Sequence, residues 1–284
     1  MIQFGGSVKD KVVVVTGGSG VLGSLFAEVL AENGAKVAVL GRTKAKVDQV
    51  VQRILTKGGI ALPVVANVLD IDQLEEAKKE IQQKLGTCDI LINGAGGNHT
   101  KENTTHEFLE EKHLKEKAEG LLTFFDLDPE SVQYVFNLNF LGTLLPTQVF
   151  AKEMIGKKGA TIINISSMNA FRPLTRIPAY SGAKAAISNF TQWLAVYFAK
   201  VGIRVNAIAP GFFLTEQNRG LLLHEDETFT DRAQKILQQT PMGRFGQPQD
   251  LIGTLLWLVD EKASAFVTGV VIPVDGGFNA YSGV

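Results

Sequence analysis

The chain has a single cysteine, Cys88, in 284 residues, so no intramolecular disulfide can staple it. It has no run of about 18 consecutive apolar residues, the length a membrane-spanning helix needs. It has no block of lysine and arginine of the kind that grips nucleic acid. The opening stretch MIQFGGSVKDK lacks the apolar core of a secretion signal. Charge of neither sign dominates, with 28 basic against 29 acidic residues. These absences point to a reducing, cytoplasmic setting and to small-molecule partners, with no nucleic acid and no membrane. The 45 % apolar content suits an ordinary globular protein. No Pro/Ser-rich or charged linker interrupts it, so one domain over residues 1–284 is expected.

What is present is a rhythm. Short runs rich in Val and Ile (KVVVV at 11–15, KVAVL at 36–40, then ALPVVA, CDILIN, ATIINIS, IRVNAIA and VVIPV) alternate with longer segments of helical period. Fully apolar strands separated by helices imply a parallel sheet covered on both faces. The expected fold class is therefore α/β, a doubly wound parallel sheet of about seven strands. Residues 97–126 and 212–240 break the rhythm. Both follow strands at their carboxyl ends, the edge where open α/β sheets bind ligands, so both are expected as substrate-loop insertions or, failing that, solvated surface.

After the first strand comes Thr16-Gly17-Gly18-Ser19-Gly20-Val21-Leu22-Gly23. A GxGxxG spacing alone is weak. Directly after an apolar strand and opening a helix, it is the context in which glycines let backbone approach a pyrophosphate. The second strand ends Leu40-Gly41-Arg42-Thr43, with no acid to hold a ribose 2′-hydroxyl. Arg42 can pair with a 2′-phosphate or simply start the next helix in solvent; the first alternative favours NADP(H) slightly over NAD(H). Asn93-Gly94-Ala95-Gly96 follows the fourth strand, either as a tight turn or as a place where nicotinamide ribose comes close to backbone.

Tyr180 and Lys184 lie four residues apart in AYSGAKAAISNF, a segment of good helix formers, and so project from one face. Ser167 ends the ATIINISS region thirteen positions earlier, and Asn139 sits in FNLNFLGT. Together with TGGSGVLG, NGAG and Pro210-Gly211-Phe212-Phe213-Leu214-Thr215, these motifs give a chain that resembles the short-chain dehydrogenase/reductase family over nearly its whole length. The resemblance implies a Rossmann-type fold and an NAD(P)-dependent oxidoreductase interconverting a secondary alcohol and a ketone. Tyr180 would be the general acid/base, with Lys184 favouring its phenolate and holding the nicotinamide ribose. Ser167 would bond the reacting oxygen, and Asn139 would hold a water in a proton relay. An unperturbed tyrosine titrates near ~10, too high for a base at neutral pH, and an adjacent cation lowers it. The implied cofactor positions are Gly17, Gly18, Ser19, Gly20, Val21, Leu22, Gly23, Arg42, Thr43, Asn67, Val68, Asn93, Gly94, Ala95, Gly96, Tyr180, Lys184, Pro210, Gly211, Phe213 and Thr215. Asn67 stands where the family commonly has an aspartate.

Finer resemblance, in NGAGGNHT, FFDLDPES, SSMNAFRPLTRIPAYS and PGFFLTEQN, is to the branch of the family that interconverts D-mannonate and D-fructuronate. A sugar acid needs cations or amides at the site. Asn98, His99, Asn169, Arg172 and Gln217 are the candidate substrate contacts, and Lys101, Arg176 and Asn218 lie on the same loops. The rival readings are a gluconate 5-dehydrogenase, a 3-ketoacyl carrier-protein reductase or, in another class, a non-catalytic dinucleotide-sensing protein. The retention of Asn139, Ser167, Tyr180 and Lys184 weighs against the last.

No metal site is expected. His99, His106 and His113 recur every seven residues, but two helical turns span ~10.5 Å, too far to share an ion, and they read as charged helix surface. Ile187, Phe190, Trp193, Leu194 and Tyr197 give the helix after Lys184 a broad apolar face, either core or interface; the resemblance implies a homotetramer or a dimer.

Overall fold

The computed structural model describes residues 6–115, 119–215 and 218–283. In chain order its elements are β1 (Val12–Thr16), α1 (Val21–Glu32), β2 (Lys36–Gly41), α2 (Lys44–Thr56), β3 (Ile60–Val65), α3 (Ile71–Lys84), β4 (Ile90–Asn93), α4 (Glu111–Lys115), α5 (Pro129–Phe136), α6 (Gly142–Met154), β5 (Thr161–Ile165), α7 (Pro178–Phe198), β6 (Arg204–Pro210), α8 (Arg219–Leu222), α9 (Asp231–Gln238), α10 (Ile252–Val259) and β7 (Val271–Val274). The seven strands form one parallel sheet in the order β3-β2-β1-β4-β5-β6-β7. This is the doubly wound Rossmann-type sheet that the strand rhythm predicts. Its order reverses between β1 and β4, and the crevice that such a reversal opens at the carboxyl edge is the natural ligand position.

The central strands β1, β4 and β5 are wholly buried and β6 is buried beyond Arg204, as apolar runs with helices on both faces should be. Alternate residues feed two cores. Val13 and Val15 join Phe26, Leu30 and Leu255 on one face, while Val12 and Val14 join Ile81, Phe150 and Met154 on the other. Each large aliphatic or aromatic side chain buried here contributes about 1.5–3 kcal/mol. β3 departs from the expectation of burial on both faces, because it is an edge strand that leaves Ile60 and Val65 half exposed. Both edge strands carry a proline, Pro63 and Pro273, which lacks the N–H that would recruit a further strand.

Three helices start with the caps their sequences offer. Asp70 caps α3 by accepting from the N–H groups of Asp72 and Gln73, and Asp128 with Pro129 opens α5. Thr230 caps α9. At α1 the N-cap is Gly20, which offers no side chain, so the first N–H groups of that helix have no side-chain acceptor.

The segment 97–126 folds differently from a charged helix surface. Within it only Glu111–Lys115 is α-helical among the described residues. His106 therefore lies outside the helix and its ring stacks on His113, with centroids 4.4 Å apart. The two-turn separation assumed from the spacing does not apply. His113 Nδ1 accepts from the Glu110 N–H and is occupied in holding the turn. Among the described residues no group of three or more His, Cys, Asp or Glu side chains could share a metal ion, and no helix is long and apolar enough to cross a membrane.

Candidate active site

The carboxyl ends of β1, β2, β4, β5 and β6 open into a cleft of about 560 Å³. Its floor is fixed by Thr16, fully buried at the end of β1, whose Oγ1 accepts from the N–H groups of Gly94 and Ala95 at 3.2 and 3.4 Å. The turns after β1 and β4 are thereby locked together. Gly17 has φ +63°, and a Cβ there would meet the Gly94–Ala95 backbone at 2.8 Å, so only glycine suits both the conformation and the approach. A Cβ on Gly23 would come within 2.2 Å of the Gly17 carbonyl. A cradle of bare backbone facing an uncapped helix N-terminus fits a pyrophosphate, so the residues present fit a dinucleotide.

Of the positions expected to hold the cofactor, Gly17, Ser19 to Gly23, Arg42, Thr43, Val68, Gly94, Ala95, Gly96, Tyr180, Lys184, Pro210, Gly211, Phe213 and Thr215 line this cleft. Gly18, Asn67 and Asn93 do not. Gly18 lies behind the loop and donates its N–H to the Leu40 carbonyl. Asn67 Oδ1 accepts from the Leu69 N–H at 3.2 Å. Asn93 is buried and ties strand to helix, its Nδ2 donating to Asn164 Oδ1 and Thr147 Oγ1. Lys46, Gly41, Gly97, Leu138 and Asn218 line the cleft without having been expected as cofactor positions.

The chemistry-bearing side chains converge at the β5–α7 junction. Ser167 is buried and caps the turn Met168–Ala170, accepting from the Asn169 N–H at 3.3 Å. Burial raises the Tyr180 pKa, and the nearby Ser167 side chain opposes the rise. Lys184 Nζ lies 5.6 Å from the centre of the Tyr180 ring. It is 4 % exposed and donates one hydrogen bond, to the Ile165 carbonyl at 2.8 Å. Two of its three N–H donors face the cleft region with no protein acceptor among the described residues. Burial pushes its pKa down to about 8.

Asn139 sits in a π-helical turn, Asn137–Leu141, between α5 and α6, the kind of bulge often found at functional sites. Its Nδ2 donates to the carbonyls of Gly97 (2.7 Å) and Val135 (2.8 Å), and its Oδ1 accepts from the Gly97 N–H at 3.3 Å. Both side-chain N–H groups are committed, so the side chain holds the Gly94–Gly97 turn and has no N–H left for a relay water.

The expected substrate contacts fare differently. Asn98 is engaged with Asn103 Oδ1 at 3.1 Å, His99 accepts from the Lys101 N–H, and Arg172 donates to the Tyr281 carbonyl. Asn169 is buried behind Ser167. None of the four lines the cleft. Gln217 lies outside the described residues.

A residue that sequence reasoning passed over is Glu102, an acid inside the polar insertion. It is fully buried, and its Oε2 accepts from the Ala179 N–H at 3.0 Å. Ile177, the N-cap of α7, provides no side-chain cap, so Glu102 supplies one from a distant loop, one residue before Tyr180. Burial raises its pKa, and the Ala179 N–H opposes the rise. Glu102→Ala is expected to cost about 1–3 kcal/mol by leaving that N–H unsatisfied, and Glu102→Gln, which keeps an acceptor, appreciably less. Urea denaturation of the two variants decides; equal losses would mean that the acceptor is not what matters.

Comparison with known proteins agrees with this geometry. Residues 11–226 match the family model for short chain dehydrogenase. A Haemophilus influenzae protein called an uncharacterised oxidoreductase is 58 % identical over 278 residues, 98 % of this chain and 96 % of that one. A Bacillus subtilis protein, an uncharacterised oxidoreductase UxuB, is 54 % identical over the full length of both. A solved Haemophilus structure with bound NAD, provisionally named a D-mannonate oxidoreductase, superposes with TM-score 0.94 at 57 % identity, covering 98 % of each chain. The chain belongs to the short-chain dehydrogenase family and is an NAD(P)-dependent oxidoreductase.

Proposed function

We propose that the protein interconverts D-mannonate and D-fructuronate, with NADP(H) somewhat preferred over NAD(H). The observation that carries the reaction type is that Ser167, Tyr180 and Lys184 line the dinucleotide cleft together, with the Lys184 ammonium 5.6 Å from the centre of the Tyr180 ring. The substrate rests on the provisional name of the Haemophilus structure and on the loop motifs NGAGGNHT and PGFFLTEQN. When bound, the nicotinamide supplies or accepts the hydride. Tyr180 gives its phenolic proton to the ketone oxygen during reduction and takes one from the alcohol in reverse. Ser167, whose Oγ accepts from the Asn169 N–H, can turn its single O–H from the Tyr180 oxygen to the same substrate oxygen. Lys184 stabilises the phenolate and offers its remaining N–H donors to the ribose. Asn139 positions the Gly94–Gly97 turn on which the nicotinamide half would rest. Trp193, Val196 and Tyr197, 55 %, 80 % and 66 % exposed on one stretch of α7, support a homotetramer or dimer that covers them.

The cofactor preference comes from the end of β2, where Arg42 and Lys46 line the cleft and have no ion-pair partner among the described residues. Initial rates with D-fructuronate, 5-keto-D-gluconate and an acetoacetyl thioester, each with NADH and NADPH, test the whole reading; preference for either comparison substrate sinks the sugar-acid part. In the double variant Arg42→Ala/Lys46→Ala the KM for NADPH is expected to rise about 10- to 100-fold, the size of a lost charge-assisted contact. The KM for NADH should move much less, and equal changes would remove the 2′-phosphate from the account.

A further inference from the structure

Across Phe212 from the main cleft lies a second one of about 580 Å³, walled by the loop before α7, by α9 and by Phe278. Phe212 lines both clefts and packs edge-on against Phe278, with centroids 5.3 Å apart. The charges around the second cleft do not cancel. Lys235 is paired with Glu107 at 3.2 Å, and Asp231 opens α9 at the positive end of that helix. Arg176 spends only its Nε, on the Thr104 carbonyl at 2.9 Å, leaving its terminal N–H groups uncommitted. Arg232 has no hydrogen-bond or ion-pair partner among the described residues. Arg176 also adopts φ +74°, a left-handed conformation that side chains other than glycine rarely take. The chain thus places two guanidinium groups on one concave surface; burial, and after it the Arg176 charge, holds the Arg232 pKa below the usual arginine range, with Glu107 opposing. Arg176, Arg232 and Lys235 outnumber Glu107 and Asp231 on this surface, and an excess of cations with free N–H donors beside a reaction centre marks a place for an anion.

We propose that Arg232 and Arg176 bind the carboxylate of the substrate, which reaches past Phe212 so that its ketone or alcohol carbon lies against Tyr180. The inference rests on the sugar-acid reading above. Arg176 is four residues before Tyr180, so the loop that holds one end of the ligand leads directly into the helix that acts on the other. The planar fork of each arginine suits the two oxygens of a carboxylate, and Phe212 and Phe278 exclude water on one side and so strengthen the contact.

The test compares wild type with Arg232→Ala, Arg232→Lys and Arg176→Ala on D-fructuronate and on D-fructose, a ketose of similar polarity without the carboxylate. In Arg232→Ala the KM for D-fructuronate is expected to rise about 10- to 100-fold, with kcat much less affected. The ratio of kcat/KM for D-fructuronate to that for D-fructose should fall at least about tenfold. Arg232→Lys should fall between the two, since it keeps charge but loses the fork. Equal losses on both ketones, or none on either, would overturn the proposal. If wild type reduces no hexuronate, the sugar-acid reading fails separately. The anion site is then judged with D-gluconate as inhibitor of whichever ketone is best reduced. Competitive inhibition that Arg232→Ala abolishes sustains the site, and inhibition indifferent to Arg232, or none at all, removes it.

Discussion

Tyr180→Phe is expected to lower kcat in both directions by about 10² to 10⁴-fold, the usual worth of a positioned acid/base. The dissociation constant for the reduced dinucleotide should stay within about threefold of wild type. The reasoning is geometric: the ring stays on α7 and keeps its contact with the Lys184 ammonium at 5.6 Å, and only the hydroxyl is removed. Single-turnover rates beside fluorescence titration of the cofactor separate the two quantities. Near-normal turnover would end the assignment of Tyr180 as the proton carrier. A companion experiment concerns its pKa. Burial raises the Tyr180 pKa and Ser167 opposes the rise; a cation at the distance of Lys184 is expected to favour the phenolate further. In Lys184→Met that help is gone, so the phenolate forms only at higher pH. The pH for half-maximal alcohol oxidation is then expected to move upward by about one unit or more. A downward shift, or none, would show that Lys184 does not set this ionisation.

The parts of this site that the sequence discloses are those held by short-range geometry. Tyr180 and Lys184 are paired by helical spacing, and the glycines follow β1 in unbroken order, so both are visible without tertiary structure. The apolar runs likewise give the strands and their layer, although nothing in IALPVV distinguishes an edge strand from a central one except Pro63. What stays hidden depends on how distant segments fold back. Glu102 looks like one more charge in a polar insertion, and it becomes a buried cap only because residues 97–126 return to the start of α7. Arg232 is an ordinary helix arginine until α9 faces Arg176. Conversely, Asn98 and Arg172 stand at promising sequence positions but satisfy themselves on Asn103 and Tyr281. Loop polarity therefore identifies the right edge of the sheet and not the individual contacts. The histidines misled for the same reason, since a seven-residue spacing measures distance only if the chain between is helical.

Gly23→Ala should abolish dinucleotide binding at usable concentrations, raising the dissociation constant by about 100-fold or more, and should cost about 1–3 kcal/mol of stability as overpacking. The added methyl would sit 2.2 Å from the Gly17 carbonyl and 3.0 Å from the Gly18 Cα. No flexible side chain is there to yield, only the backbone of the turn itself. That turn has little room to retreat, because the Gly94–Ala95 backbone stands 2.8 Å from where a Cβ on Gly17 would be and Thr16 Oγ1 accepts from both of those residues. α1 must move instead, and its uncapped N–H groups are what the pyrophosphate would need in place. Gly20→Ala is the control, since its Cβ has a single neighbour, the Gly17 carbonyl at 3.2 Å, which a shift of a few tenths of an ångström relieves. Its loss of binding should be at least about tenfold smaller than that of Gly23→Ala by the same titration, with little change in the urea midpoint. If the two variants behave alike, close packing of α1 against the β1 turn is not what shapes the cradle. If they differ as expected, the spacing of the glycines reflects two distinct constraints, approach of the ligand at Gly20 and approach of the protein to itself at Gly23.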